Sequence, residues 1–182
     1  MKDIFLHIAC ALLLIVANGC GERAMIRKTM ADFMRHEIVI PDDLECLHRR
    51  KLQPILKDTL KQGKLIIYLD SLDCMSCHIT ELVEYVSLHE MADTCDFSIL
   101  TIFSPPYEDV DEIKKLLMIA NHSTPIFIDT YGSFKRQNRH IPIDSRFHSF
   151  LINGQGKPVF IGNPTTDTKL MELFLHALNN LN

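Results

Sequence analysis

The stretch that decides the fold is KLIIYLDSLDCMSC, residues 64–77. Its first six residues, 64–69, are almost continuously apolar, which is typical of a strand buried on both faces of a sheet. A short polar loop follows, and Cys74 and Cys77 then open a segment, 78–89, whose apolar residues recur at helical spacing. We therefore predict a buried strand, a loop, and a helix that begins at the cysteines.

The position of Cys74 favours a reactive thiol. At a helix N-terminus, unpaired backbone N–H groups and the helix dipole favour the thiolate over the thiol, although the neighbouring carboxylate of Asp73 opposes this effect. Cys77, one turn further, is close enough to attack a mixed disulfide and release its partner. Asp70, at the strand end, is a candidate proton shuttle for Cys77, or a residue that merely caps the turn.

In the sequence that follows, predicted strands alternate with predicted helices. We predict a short polar helix or loop at 131–140, and the loop 153–157 of a hairpin. Strands are predicted at 97–103, 126–128, 147–152 and 158–161, and helices at 109–120 and 166–181. Such alternation implies an α/β fold: a central sheet with parallel neighbours and helices on both faces.

The N-terminal third of the chain gives a different pattern. Apolar residues at near-helical spacing predict an amphipathic helix at 22–36, a short strand at 37–40 precedes Pro41, and 44–61 is mostly helical in character. We interpret residues 20–62 as a mainly helical extension and residues 63–182 as the principal domain.

The order of elements over residues 63–182, with the motif Cys74-Met75-Ser76-Cys77, resembles the thioredoxin-like superfamily. Within it, the chain is similar to the membrane-tethered thiol-disulfide oxidoreductases of the TlpA and ResA kind, including their hairpin after the active site, here 150–159. The resemblance implies a central mixed sheet and thiol-disulfide exchange, with Cys74 as nucleophile and Cys77 as resolving thiol. It implies no cofactor and no metal, and the expected partner is a disulfide-bearing exported protein or a redox protein.

One departure from that family concerns Arg146 and Phe147. They stand where thioredoxin-like enzymes carry a cis-proline that faces the cysteines, and we expect both residues to contact the substrate chain. A cis bond before a residue other than proline costs about 2.5–4 kcal/mol, so a trans bond is expected here. We expect the Arg146 guanidinium to stabilise the Cys74 thiolate.

The N-terminus reads as a signal peptide. An apolar run at 4–17, interrupted by His7, is too short to cross a bilayer but suits a secretory signal. Residues 17–20, Ala-Asn-Gly-Cys, resemble the lipobox of bacterial lipoproteins. This resemblance implies cleavage after residue 19, a lipid on Cys20, and a place in the cell envelope, in the outer membrane facing the periplasm.

The net charge is −4, and cleavage would remove one base and one acid, Lys2 and Asp3. Nucleic-acid binding is not expected, because binders show a basic domain or stripe. The one basic cluster, 48–51, is interpreted as a solvated helix face.

The cysteines leave alternatives open. The sequence Cys74-Met75-Ser76-Cys77-His78 also spells a c-type haem attachment motif, and zinc could take Cys74 and Cys77 with Cys46 and Cys95 as ligands. If Cys46 and Cys95 do not bind zinc, we expect them to be isolated core or surface thiols, and the alternative is a structural disulfide between them. Two functions remain: a thiol-disulfide oxidoreductase, or a binding module whose Cys74–Cys77 disulfide is structural.

Overall fold

A computed structural model of the protein describes residues 21–71, 79 and 82–181, so the predicted signal peptide, Cys20 and the CxxC motif lie outside the described residues. The described strands form one mixed sheet in the order β2-β1-β5-β4-β3-β6-β7. Their bounds are β1 Glu45–His48, β2 Lys51–Pro54, β3 Gly63–Leu69, β4 Phe97–Phe103, β5 Ile126–Ile128, β6 Ser149–Ile152 and β7 Pro158–Ile161.

Outside residues 44–61 the helices follow the predicted order, although the helix predicted over 78–89 extends to Thr94. Residues 21–33 are helical and are named α1. The others are α2 Val86–Thr94, preceded by a 3₁₀ turn at Leu82–Tyr85, α3 Val110–Ala120, α4 Ser133–Gln137 and α5 Thr168–Asn179. In the part of the chain that the structure describes, no helix is both long and apolar enough to cross a membrane.

The centre of the sheet is parallel. β4 lies between β3 and β5 and runs parallel to both, while β6 pairs antiparallel with the other side of β3. The carboxyl ends of β3, β4 and β5 therefore meet at one edge of the sheet.

Alternate residues of the strands face opposite layers of helices. On β3, Ile66 and Tyr68 pack in one cluster with Phe33 of α1 and Phe134 of α4. Leu65 and Ile67 face the other way and pack with α2 and α5. This arrangement confirms the predicted α/β fold with helices on both faces of a mixed sheet.

The prediction for residues 44–61 is wrong. This segment forms the hairpin β1–β2 and a 3₁₀ turn at Lys57–Thr59, and β1 joins the central sheet by pairing with β5. The basic cluster 48–51 thus spans the hairpin turn, where Arg49 and Arg50 both have positive φ, of 50° and 63°. Residues 37–40, predicted as a strand, have no regular structure. In both places, contacts with distant segments decided the conformation over the local pattern.

Candidate functional site

Three buried polar residues follow the three parallel strands directly. Asp70 follows β3, Ser104 follows β4 and Asp129 follows β5, and each is at most 4% exposed. Backbone bonds extend the strand pairing to this point, since Ser104 N donates to Leu69 O (2.9 Å) and Asp129 N donates to Phe103 O (2.8 Å). We call these residues, Asp70, Ser104 and Asp129, the carboxyl edge.

Asp129 holds the start of α4 against the carboxyl edge. Its Oδ1 accepts from Ser133 N (2.7 Å), and its Oδ2 accepts from Phe134 N (3.0 Å) and Ser104 Oγ (2.9 Å). Burial raises the pKa of Asp129 even though these hydrogen bonds act to lower it. The carboxylate therefore connects β4, β5 and α4 into one support for the edge.

Asp70 is paired with a cation. Lys135 Nζ of α4 donates to both carboxylate oxygens, at 2.9 and 2.8 Å, and Ser71 donates through its N and Oγ. Burial acts to raise the pKa of Asp70, but the bonds from Lys135 and Ser71 outweigh it and the pKa is lowered. A carboxylate with a lowered pKa is a weak proton acceptor, so this geometry gives little support to a proton shuttle.

Tyr68 and His148 lie beside Asp70. Tyr68 N donates to His148 O (2.8 Å), and the two ring centroids are 5.1 Å apart. His148 Nε2 lies 2.8 Å from Pro142 O, and because a carbonyl only accepts, this nitrogen carries the proton. Burial, and after it the charge of Asp70, raises the pKa of Tyr68, which keeps its hydroxyl protonated. Together with Lys135 these residues line a cavity of about 170 Å³.

The segment predicted to bind substrate lies next to the carboxyl edge. The register of β6 on β3, continued by the Tyr68–His148 bond, places Arg146 and Phe147 beside the carboxyl end of β3. Their peptide bond is trans, as expected, since the described residues contain no cis bond. Their contacts with Cys74 and Cys77 stay a prediction, because the cysteines lie outside the described residues.

Arg146 and Phe147 differ in their surroundings. Phe147 is buried in the same core cluster as Phe150. The Arg146 side chain is exposed, and its guanidinium donates to Asp144 through Nε (3.0 Å to Oδ1) and Nη2 (2.7 Å to Oδ2). The Asp144 carboxylate therefore offsets part of the positive charge of Arg146 that we expected to stabilise the Cys74 thiolate.

Cys46 and Cys95 are free thiols, so the alternative of a disulfide between them is wrong. Cys46 is buried in β1, and burial raises the pKa of its thiol. Cys95 is exposed just after α2. The haem and zinc alternatives need Cys74 and Cys77 and are not tested by the described residues.

Sequence reasoning missed Asp129, Lys135 and His148. A signal for Asp129 was present, because it is the first polar residue after an apolar strand, as Asp70 is. No comparable signal exists for Lys135, which is 65 residues from Asp70 in sequence.

Comparisons with known proteins support the fold. No family model matches the chain, and no curated protein matches it either. Among solved structures, it is similar to a Chlorobium tepidum protein described as the thiol:disulfide interchange protein DsbE, with a TM-score of 0.51 and 17% identity over 78% of this chain and 96% of that one.

Two further structures align with lower scores. StoA from Bacillus subtilis is 20% identical over 74% of this chain and 98% of its own, with a TM-score of 0.45. A thioredoxin-like protein from Porphyromonas gingivalis is 15% identical over 78% and 90%, with a TM-score of 0.44. Together with the sheet topology, the likeness to the Chlorobium protein shows that this chain has a thioredoxin-like fold.

Proposed function

We propose that this protein is a membrane-anchored exported thiol-disulfide oxidoreductase that exchanges disulfides through Cys74 and Cys77. The observation that carries the proposal is the end of β3. A strand buried on both faces stops at the carboxyl edge, and the CxxC motif follows Asp70 after three residues in the sequence. The segment at Arg146 and Phe147 lies beside the same strand end.

The exchange is a two-electron transfer. The Cys74 thiolate attacks one sulfur of a substrate disulfide, the substrate S–S bond breaks, and the departing thiolate takes a proton from solvent. Cys77, after loss of its proton to solvent, attacks the mixed disulfide. The substrate leaves as a dithiol, and Cys74 and Cys77 are oxidised to a disulfide. A dithiol protein of the envelope would then re-reduce the pair.

The described residues supply the support for this reaction. Asp129 fixes the start of α4, and α4 presents Lys135 to Asp70. Because Lys135 balances the charge of Asp70, the strand end does not add an uncompensated negative charge close to the Cys74 thiolate, where it would raise the thiol pKa.

One observation favours the second candidate, a binding module with a structural Cys74–Cys77 disulfide. The segment beside the strand end has Arg146 and Phe147 in place of a cis-proline, and Asp144 holds the guanidinium. The segment therefore lacks the proline that crowds the sulfurs in thioredoxin-like enzymes.

The reduction potential of the Cys74–Cys77 pair distinguishes the two candidates. We expect a value between about −270 and −120 mV, as for catalytic pairs, whereas a structural disulfide falls below about −300 mV. The measurement is equilibration with glutathione or thioredoxin redox buffers followed by thiol trapping, with Cys46→Ser and Cys95→Ser to remove the other thiols. A potential below about −300 mV would contradict the proposed oxidoreductase and favour the binding module.

The anchor has its own test. Cys20→Ser should abolish labelling of the protein by a radioactive fatty acid and leave the uncleaved precursor in the membrane fraction. Unchanged labelling would remove the lipoprotein assignment, and with it the place in the outer membrane facing the periplasm.

A further inference from the structure

We infer that α1 holds the membrane anchor beside the carboxyl edge, so that the protein acts on disulfides close to the bilayer, in extracytoplasmic segments of membrane-embedded proteins. This inference rests on the proposed function and on lipidation of Cys20. It goes beyond both because it names where the substrate disulfide lies.

Three contacts fix the direction of α1. Near its start, Glu22 Oε1 lies 3.9 Å from Arg146 Nη1, and near its end the ring of Phe33 lies 5.0 Å from that of Phe150. Beyond the helix, Ile38 N donates to Gly156 O (2.8 Å). These partners come before, within and after β6, so α1 and the residues after it run alongside β6 in the same direction.

The direction of β6 then places each end of α1. β6 is antiparallel to β3, with Ser149 opposite Ile67 and Ile152 opposite Lys64. The residues before β6 therefore lie at the carboxyl end of β3. It follows that the start of α1 lies at the end of the molecule that carries Asp70, and the segment after α1 lies towards the opposite end.

α1 is docked onto the domain as part of the core. The Phe33 side chain is 1% exposed, and Ile26 and Met30 are partly buried against the same cluster. Just after the helix, the ring of His36 stacks on that of His140 with centroids 4.8 Å apart. Because the burial of large apolar side chains is favourable, these contacts hold α1 against the sheet.

The docking shortens the reach of the anchor. One residue, Gly21, lies between Cys20 and Glu22, and the two residue steps from Cys20 to Glu22 correspond to at most about 7 Å of chain. If residues 20–62 were instead a flexible tether, the root-mean-square distance from Cys20 to β3 would be about 35 Å. The docked helix therefore keeps the lipid near Arg146 and the carboxyl edge, and the β1–β2 turn at the amino end of β5 points away from the bilayer.

The test uses full-length lipidated protein in phospholipid vesicles with three substrates. One is a single-span peptide with a disulfide loop about five residues from the bilayer, and one carries the same loop on a Gly/Ser stalk of about 40 residues. The third is the same loop as a soluble peptide, which reports the exchange chemistry alone.

We expect the wild-type protein to reduce the membrane-proximal loop at least about tenfold faster than the stalked loop, because the short anchor raises its effective concentration. A Gly/Ser insertion of about 40 residues between Gly21 and Glu22 should reduce this ratio to about two or less. The matched control carries the same insertion after Asn182 and should keep the wild-type ratio.

The outcomes distinguish a failure of this inference from a failure of the proposed function. Equal rates for the two anchored loops in the wild type, or a ratio that the Gly21–Glu22 insertion leaves unchanged, would overturn the inference while the soluble peptide is still reduced. If no variant reduces the soluble peptide, the proposed function itself fails.

A measurement independent of activity tests the geometry. A fluorophore at Ser145, beside Arg146, should transfer energy to an acceptor in the vesicle headgroups more efficiently than the same fluorophore at Lys51, the first residue of β2 after the β1–β2 turn. Both residues are exposed. Equal transfer, or more from Lys51, would contradict an anchor at the carboxyl edge.

Discussion

Lys135 decides the charge state of Asp70. The Asp70 side chain is almost fully buried, while half of the Lys135 side chain is exposed and still reaches both carboxylate oxygens. Burial alone would raise the pKa of this carboxyl, and the bonds from Lys135 and Ser71 reverse the direction. The ion pair therefore keeps the Asp70 side chain at the end of β3 ionised, whereas burial by itself would favour its protonated form.

Lys135→Met should lower the free energy of unfolding at pH 7 by about 1–3 kcal/mol, a range kept below that of buried pairs because solvent screens the exposed half of Lys135. A lowered pKa gives stability above the unfolded value, near 3.9, that is lost as the pH falls through the folded pKa. The deficit, measured by urea unfolding, should thus shrink as the pH falls below about 4. Lys135→Arg is the control, and an equal deficit at pH 4 and at about pH 2.5 would contradict the charge argument.

Asp129 is the second decisive residue. Its two oxygens accept three hydrogen bonds, and an Asn side chain offers one accepting oxygen and a donating NH₂ group. Asp129→Asn should therefore leave a buried donor unpaired and lower the free energy of unfolding by about 1–3 kcal/mol. Ser104→Ala, which removes one donor and keeps the carboxylate, should have the smaller effect. If Asp129→Asn is as stable as the wild type, Asp129 does not hold α4.

At the scale of elements, the β1–β2 turn is strained. Arg49 and Arg50 both occupy the left-handed region, and two-residue hairpin turns of this kind favour Asn-Gly. A residue with a side chain costs about 1–2 kcal/mol in this conformation, and Gly and Asn cost less.

We expect the double substitution Arg49→Asn with Arg50→Gly to raise the free energy of unfolding by about 1 kcal/mol. The control is Arg49→Ala with Arg50→Ala, which removes the same two charges without easing the backbone. Both are measured by urea unfolding. A gain of the same size in the alanine variant would assign the effect to charge repulsion instead of backbone strain.

At the scale of the whole molecule, the stack of His36 on His140 makes the docking of α1 dependent on pH. Burial lowers the pKa of His140, the neighbouring His36 lowers it further, and Asp32 acts in the opposite direction. A base with a lowered folded pKa loses stability as the pH falls below its unfolded value, near 6.5. Docking of α1 should therefore weaken under mildly acidic conditions.

Hydrogen exchange of the amides of α1 measures this effect. Protection, corrected for intrinsic exchange rates, should decrease between pH 7 and pH 5, while protection in β3 and β4 stays constant. His140→Phe keeps an aromatic ring beside Phe33 and removes the charge, so its α1 protection should not depend on pH. The same decrease in this variant would show that His140 is not the titrating group.

The sequence by itself determined the centre of this protein. The runs 64–69, 97–103 and 126–128 are apolar on both faces, and because only a sheet covered by helices on both sides buries such strands, they appear where predicted. Helices α3 and α5 also appear where predicted, since their apolar stripes need only one surface to cover. Asp70 was visible because a polar residue ended an apolar run.

Tertiary structure alone decided the rest. Residues 45–48 became a strand because β5, some 80 residues further along the chain, offered an open edge to pair with, and the local pattern carries no information about that partner. The pairing of Lys135 with Asp70 and the position of α1 beside β6 have the same origin. Each depends on contacts between residues far apart in sequence, whose energies exist only once the chain has folded.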